Sequence, residues 1–187
     1  MRRPSLLELS LHILDIVENS LAAGAKLVTI EISEESERDR LSVTISDDGQ
    51  GMDPAAAARA TDPFVTSRTT RRVGLGLSLW QTHVRAWGGD LALESRPGQG
   101  TTVRAWFRLS HIDRQPLGDW PRTLAGLIMT RPEVDFLYRH RVDGDEFELD
   151  TRQIKAELGL DNLASPQVAS FLTEQIAQAL RVLGSTA

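Results

Sequence analysis

Asp15 and Asn19 stand four residues apart in the segment Asp15-Ile16-Val17-Glu18-Asn19, a spacing that places both on one face of a helix. An amide oxygen is a hard ligand suited to a phosphate-bound Mg2+ ion that keeps several waters, and a carboxylate one turn earlier can orient one of those waters. Alone, the pair also reads as a solvated polar stripe. A second cluster, Asp47-Asp48-Gly49-Gln50-Gly51-Met52, directly follows a strand-like segment. Gly49 and Gly51 let the backbone turn sharply beside a ligand. A carboxylate at a strand end can accept a hydrogen bond from an exocyclic amine such as that of adenine. The plain alternative is an acidic β-turn. A calcium loop is disfavoured, because oxygen ligands do not recur at alternate positions and no Glu closes a twelve-residue frame. The third cluster, Val73-Gly74-Leu75-Gly76-Leu77-Ser78-Leu79, opens a helix after a basic stretch containing Arg68, Arg71 and Arg72. Glycines at a helix N-terminus expose backbone N–H groups to a phosphate, and arginines add bidentate charge. It is neither the Gly-Lys-Ser/Thr phosphate loop nor the three-glycine dinucleotide pattern.

These clusters need elements to position them. Residues 5–23 have helical periodicity: Glu8, His12, Asp15 and Asn19 form a narrow polar stripe, and leucine, isoleucine and valine fill nearly all the remaining circumference. So wide an apolar arc predicts a helix packed on several sides. Gly24 stops it. Residues 27–32 and 41–45 alternate apolar and polar at the strand period and predict a half-buried hairpin, with the charged run 33–40 as an exposed loop between the strands. Residues 53–60 and 75–87 predict helices, the second stopped by Gly88 and Gly89, and residues 91–94 and 103–109 predict strands around the turn Pro97-Gly98-Gln99-Gly100. Consecutive hairpins separated by helices favour an α/β two-layer sandwich, a mixed sheet with helices on one face. Beyond residue 110 a smaller α+β extension follows: a helix near 121–129, a hairpin of 134–140 and 146–149 around Asp143-Gly144, a helix at 151–158, and a final helix capped by Ser165 and Pro166. The expected organisation is therefore residues 1–110 and 111–187.

The 187 residues hold no cysteine, which excludes disulfides, thiolate metal sites and thiol catalysis. Residues 1–110 are nearly neutral, with 13 basic and 14 acidic side chains, whereas residues 111–187 hold 8 and 12. This acidic balance speaks against nucleic acid as a partner. Glu8, His12, Asp15 and Glu18 interrupt the N-terminal apolar run, so no signal peptide or membrane span is expected and a cytoplasmic location is.

In order and context the motifs resemble the Bergerat-fold ATP-binding domain of the GHKL superfamily, which includes DNA gyrase, heat-shock chaperones, sensor histidine kinases and MutL-type repair proteins. Residues 15–25 (DIVENSLAAGA) resemble the N box, residues 47–52 the first glycine box, residues 62–68 (DPFVTSR) the F box and lid, residues 73–79 the second glycine box, and residues 98–102 (GQGTT) the closing strand motif. The resemblance covers about residues 5–110. It implies ATP and Mg2+ as cofactors. Asn19 would coordinate the metal and Asp47 the adenine amine. Gly49, Gly51 and Met52 would shape the pocket, and Thr101 would support adenine recognition. Gly74, Leu75, Gly76 and Leu77 would present backbone to the phosphates, with Arg68, Arg71 and Arg72 nearby, and Phe64 would anchor the lid. Hydrolytic members carry a general-base Glu four residues before the Asn; here that position is Asp15, whose reach is shorter. No phosphoacceptor His box precedes the domain in this sequence, so a self-contained sensor kinase is not expected. His12 is read as structural or at the pocket edge, and His83, His111 and His140 as surface or structural.

Two functions share this pocket. One is a regulatory kinase-like module, resembling histidine kinases and anti-sigma kinases, that transfers the γ-phosphate to a separate protein. The other is an ATP-gated interaction module or slow ATPase. Residues 110–119 also resemble, more weakly, a junction in stand-alone ATPase-domain proteins encoded beside hydrogenase or NADH-dehydrogenase-like subunits. The expected role of residues 111–187 is docking or homodimerisation; packing onto the core and a helix-turn-helix are the alternatives.

Overall fold

A computed structural model describes residues 8–60 and 75–187. The N-terminal apolar arc forms α1 (Leu9–Ala22), which packs against two other helices and the sheet, as its width predicts. Gly24, at φ 77°, turns the chain out of it. The hairpin follows as β1 (Leu27–Glu35) and β2 (Arg40–Asp47), with Ile30 opposite Ile45 and Ile32 opposite Val43. Then come α2 (Pro54–Ala60), α3 (Leu75–Ala86), β3 (Asp90–Ser95) and β4 (Thr101–Arg108), in the expected order.

The charged run 33–40 corrects one expectation. It is not an exposed loop: β1 continues to Glu35 and β2 begins at Arg40, so only residues 36–39 turn. Glu34 keeps the inward alternation of β1 and is 1% exposed. Its carboxylate accepts hydrogen bonds from His140 Nε2 (2.8 Å), Ser185 Oγ (2.6 Å), Thr186 N (2.8 Å) and Thr186 Oγ1 (2.9 Å), which replace the water it has left. Those four donors outweigh the opposing effect of burial and hold its carboxyl down at about 2. His140 is thus structural and wholly buried, with Nδ1 against the Tyr138 hydroxyl at 2.7 Å.

The remaining elements are α4 (Trp120–Thr130), β5 (Asp135–Val142), β6 (Asp145–Asp150), α5 (Thr151–Leu158) and α6 (Pro166–Leu183). Asp143 and Gly144, both at positive φ, make the tight β5–β6 turn. Ser165 caps α6 by accepting from Val168 N at 3.2 Å. The described residues form one six-stranded sheet, in the order β3-β4-β2-β1-β5-β6, with β1 and β5 parallel and every other pair antiparallel. Residues beyond 110 therefore extend the same sheet, and Trp120, Leu124, Phe136, Tyr138, Leu172 and Ile176 share the hydrophobic core with Ile13, Val17, Ile30 and Val43. Alternating burial along β1, β2, β4 and β5 leaves one face of the sheet to the helices. Among the described residues no helix is long and apolar enough to cross a membrane.

Candidate nucleotide site

α1 packs against β2, and Asn19 and Ser20 in its C-terminal half come to the strand end that carries Asp47. The carboxylate of Asp47 is fixed from three sides. Its Oδ1 accepts from Gly49 N at 2.9 Å and from Thr101 N at 3.2 Å, and its Oδ2 accepts from Ser20 Oγ at 2.6 Å. Each carboxylate oxygen can accept two hydrogen bonds, so Oδ2 keeps an acceptor position for an external donor.

Two loops close together beneath this carboxylate. Gly98 N donates to Gln50 O at 2.8 Å, Met52 N donates to Ser95 Oγ at 2.8 Å, and Ser95 Oγ lies 2.9 Å from Thr101 Oγ1. Glycine is required at the closest approaches. A Cβ on Gly100 (φ 78°) would lie 1.8 Å from Asp47 O, and one on Gly51 (φ 65°) 2.0 Å from Arg96 O. Gly98 (φ 71°) has nothing within 4 Å. Gly100→Ala is accordingly expected to lower the melting temperature by about 5 °C or more and to weaken nucleotide binding, since it pushes Asp47 off its partners. Gly98→Asn should change little; thermal melts of the two variants side by side check this.

Above the carboxylate is a cavity of about 230 Å3 walled by Ile16, Ile45, Met52, Leu77, Leu93 and Val103, with Asn19, Asp47 and Thr101 among its polar groups. Apolar walls with one oriented acceptor suit a flat heteroaromatic ring bearing an amino group. Asp15 lies one turn before Asn19 and meets the first turn of α3: a Cβ on Gly76 would be 2.8 Å from its Oδ2. Partial burial raises the Asp15 carboxyl above the ordinary aspartate value. Nearby, His12 stacks on Trp80 with ring centroids 5.8 Å apart, and its Nε2 lies 3.3 Å from His83 Nδ1. Burial, then the neighbouring His83, brings His12 down to about 4, so it is neutral at physiological pH.

The structure thus brings Asn19, Asp47, Gly51, Met52, Leu77 and Thr101 to one cavity, places Gly49 under Asp47, and sets Asp15 against Gly76. Leu75 opens α3. Phe64, Arg68, Arg71, Arg72 and Gly74 lie outside the described residues. Sequence reasoning did not single out Ser20 or Ser95, nor the aliphatic walls Ile45, Leu93 and Val103. The only signal for Ser20 is a hydroxyl beside Asn19, and its partner Asp47 is 27 residues away along the chain.

The family model for histidine kinase-, DNA gyrase B- and HSP90-like ATPases matches residues 6–111, the stretch holding every group just described. The chain belongs to this ATPase family. Within it, the sensor protein kinase FleS of Pseudomonas aeruginosa is 42% identical over 89 residues, covering 48% of this chain and 22% of that protein. The non-motile and phage-resistance protein of Caulobacter vibrioides is 30% identical over 117 residues, covering 58% of this chain and 14% of that protein. The matched region is therefore under a quarter of either relative's length. Among solved structures, the N-terminal domain of a DNA repair protein superposes with a TM-score of 0.56 at 16% identity, over 77% of this chain and 52% of that one. That likeness is one of fold, and it agrees with the mixed sheet of an ATPase-family domain.

Proposed function

We propose that this ATPase-family domain binds ATP with Mg2+ and passes the γ-phosphate to a separate regulatory protein. The observation that carries the reading is the Asp47 carboxylate, held by Ser20, Gly49 and Thr101 with an acceptor position left over an apolar slot. Asp47 would take the adenine amine, Thr101 would hold Asp47 in register, and the aliphatic walls would sandwich the ring. The phosphates would then run toward the N-terminus of α3, where Gly76 and Leu77 stand at the positive end of the helix dipole. Gly74, Arg68, Arg71, Arg72 and Phe64 are assigned to the phosphates and lid from sequence.

A metal fits the donor set present. Among the described residues no group of three or more His, Asp or Glu side chains could hold an ion unaided, but the Asn19 oxygen with Asp15 one turn earlier matches a cation that takes most of its ligands from phosphate and water. Bound there, Mg2+ would neutralise developing phosphate charge. Asp15 would orient a water or the acceptor group by hydrogen bonding.

Support for transfer over hydrolysis comes from Asp15 itself. Its reach is one methylene shorter than that of Glu, which disfavours activation of water. The kinase relative FleS adds to it. A cytoplasmic location, where ATP is held, goes with this reading.

Incubating the chain with γ-labelled ATP and proteins captured on it provides the test. Label appearing on a captured protein, and lost with Asp47→Ala, is the expected result. ATP-dependent capture with no labelled protein would replace this reading with a nucleotide-gated interaction module. The slow-ATPase alternative makes a different prediction, with Asp15 as the base: Asp15→Asn would reduce phosphate release about 100-fold while leaving ATP affinity within about twofold, and release in the wild type would rise with pH through a value above that of an ordinary aspartate.

A further inference from the structure

The inner face of α6 is committed to the core: Leu172 and Ile176 are buried, and Val168, Ala169 and Leu180 pack beside them. Ala169, Ser170, Thr173 and Glu174 line the groove on its α4 side. The opposite flank is a different surface. Phe171, Gln175, Gln178 and Val182 follow one another at spacings of four, three and four residues, the 3.5-residue repeat of a helix-pairing seam. Phe171 is 55% exposed and Val182 80%, and both glutamines are exposed. The seam itself carries no charge. Glu174, at the rim of the α4-side groove, and Arg181 border the seam along that side; both are exposed, and neither forms an ion pair with another described residue.

We propose that this flank docks a second copy of the same chain, the two α6 helices running antiparallel about a two-fold axis between Gln175 and Gln178. The seam is self-complementary in that arrangement alone. Phe171 of each copy meets Val182 of the other, and Gln175 meets Gln178, whose amides both donate and accept. Glu174 of each copy comes opposite Arg181 of the other. A parallel alignment gives Glu174 no opposite charge. A single helix pair falls short of the roughly 1,200 Å2 of a stable interface, so association is weak and concentration-dependent. The proposal is independent of what the nucleotide site does.

Sedimentation equilibrium of the full chain, taken to about millimolar protein, the upper end for weak complexes, tests it. The wild type is expected to show a reversible monomer–dimer equilibrium, and Phe171→Glu to remain monomeric throughout. Glu174→Arg or Arg181→Glu alone should weaken the dimer about tenfold, since each creates two like-charge contacts by symmetry. The double reversal, Glu174→Arg with Arg181→Glu, should restore the constant to within about threefold. All three positions are on the surface, and circular dichroism together with unchanged ATP affinity verifies folding. A wild type that stays monomeric overturns the proposal. So does a dimer indifferent to Phe171→Glu, or a double reversal that fails to rescue.

Discussion

Asp47→Ala is expected to reduce ATP affinity about 100-fold, with a loss of thermal stability alongside. The substitution removes three hydrogen bonds at once: the N–H groups of Gly49 and Thr101 lose their side-chain acceptor beside an apolar cavity, and Ser20 Oγ keeps only Ile16 O, at 3.2 Å. It also removes the acceptor assigned to the adenine amine. Hydrogen bonds to a charged acceptor contribute about 1.5–3 kcal/mol each, and orphaned donors cost desolvation besides. Asp47→Asn separates the two effects: an amide can still accept from backbone N–H groups, so stability should largely return while base recognition stays impaired. Calorimetric titration and thermal melts on both variants check it. Affinity unchanged in Asp47→Ala would reject Asp47 as the adenine contact.

The second large effect is on the fold. Glu34→Ala should destabilise the protein by about 3–5 kcal/mol, the cost of breaking a buried charged network from one side, which for a chain of this size lowers the melting temperature by about 10 °C. His140 Nε2, Ser185 Oγ and both Thr186 donors lose their common acceptor, and the C-terminal residues lose their attachment to β1. A pH dependence follows from the same group. Its carboxyl falls from 4.5 to about 2 on folding. The folded state therefore favours the ionised form, so this stabilisation is complete above about pH 4.5 and is lost as pH falls through about 2, about 3 kcal/mol in all. Replacing Glu34 with Gln should remove that part of the acid transition. Melts of wild type and both variants between pH 2 and 6 provide the measurement; a shift of under about 2 °C for Glu34→Ala would deny the network its role.

Glu34 also marks where sequence reading reached its limit. Val28, Ile30 and Ile32 announced β1 by alternation, but a buried glutamate continues that alternation with a charge, and the donors that make it tolerable come from residues 140, 185 and 186. No local pattern carries that information. The same holds for the site. Asp47, Asn19 and the glycines were legible because their types and spacing are unusual in themselves. Ser20 and Ser95 were not, since a serine in a helix or strand has no signature until its partner across the fold is known. The aliphatic walls Ile45, Leu93 and Val103 looked like ordinary core residues of strands, which they also are. Strand order was hidden for a related reason: β5 alternates like any half-buried strand, and nothing in it states that its neighbour is β1, in parallel, rather than another hairpin strand.

The central claim is that a fixed carboxylate at the end of β2 reads the amino group of adenine. Calorimetric titration of the wild-type chain with Mg·ATP and with Mg·GTP tests it most directly. The two ligands share their phosphates and metal, and differ at the base edge, where guanine offers an oxygen acceptor to Asp47 in place of a donor. Saturable binding of one ATP, with GTP weaker by about 100-fold, is the predicted result. Equal affinity for the two nucleotides, or no binding of ATP, would contradict it.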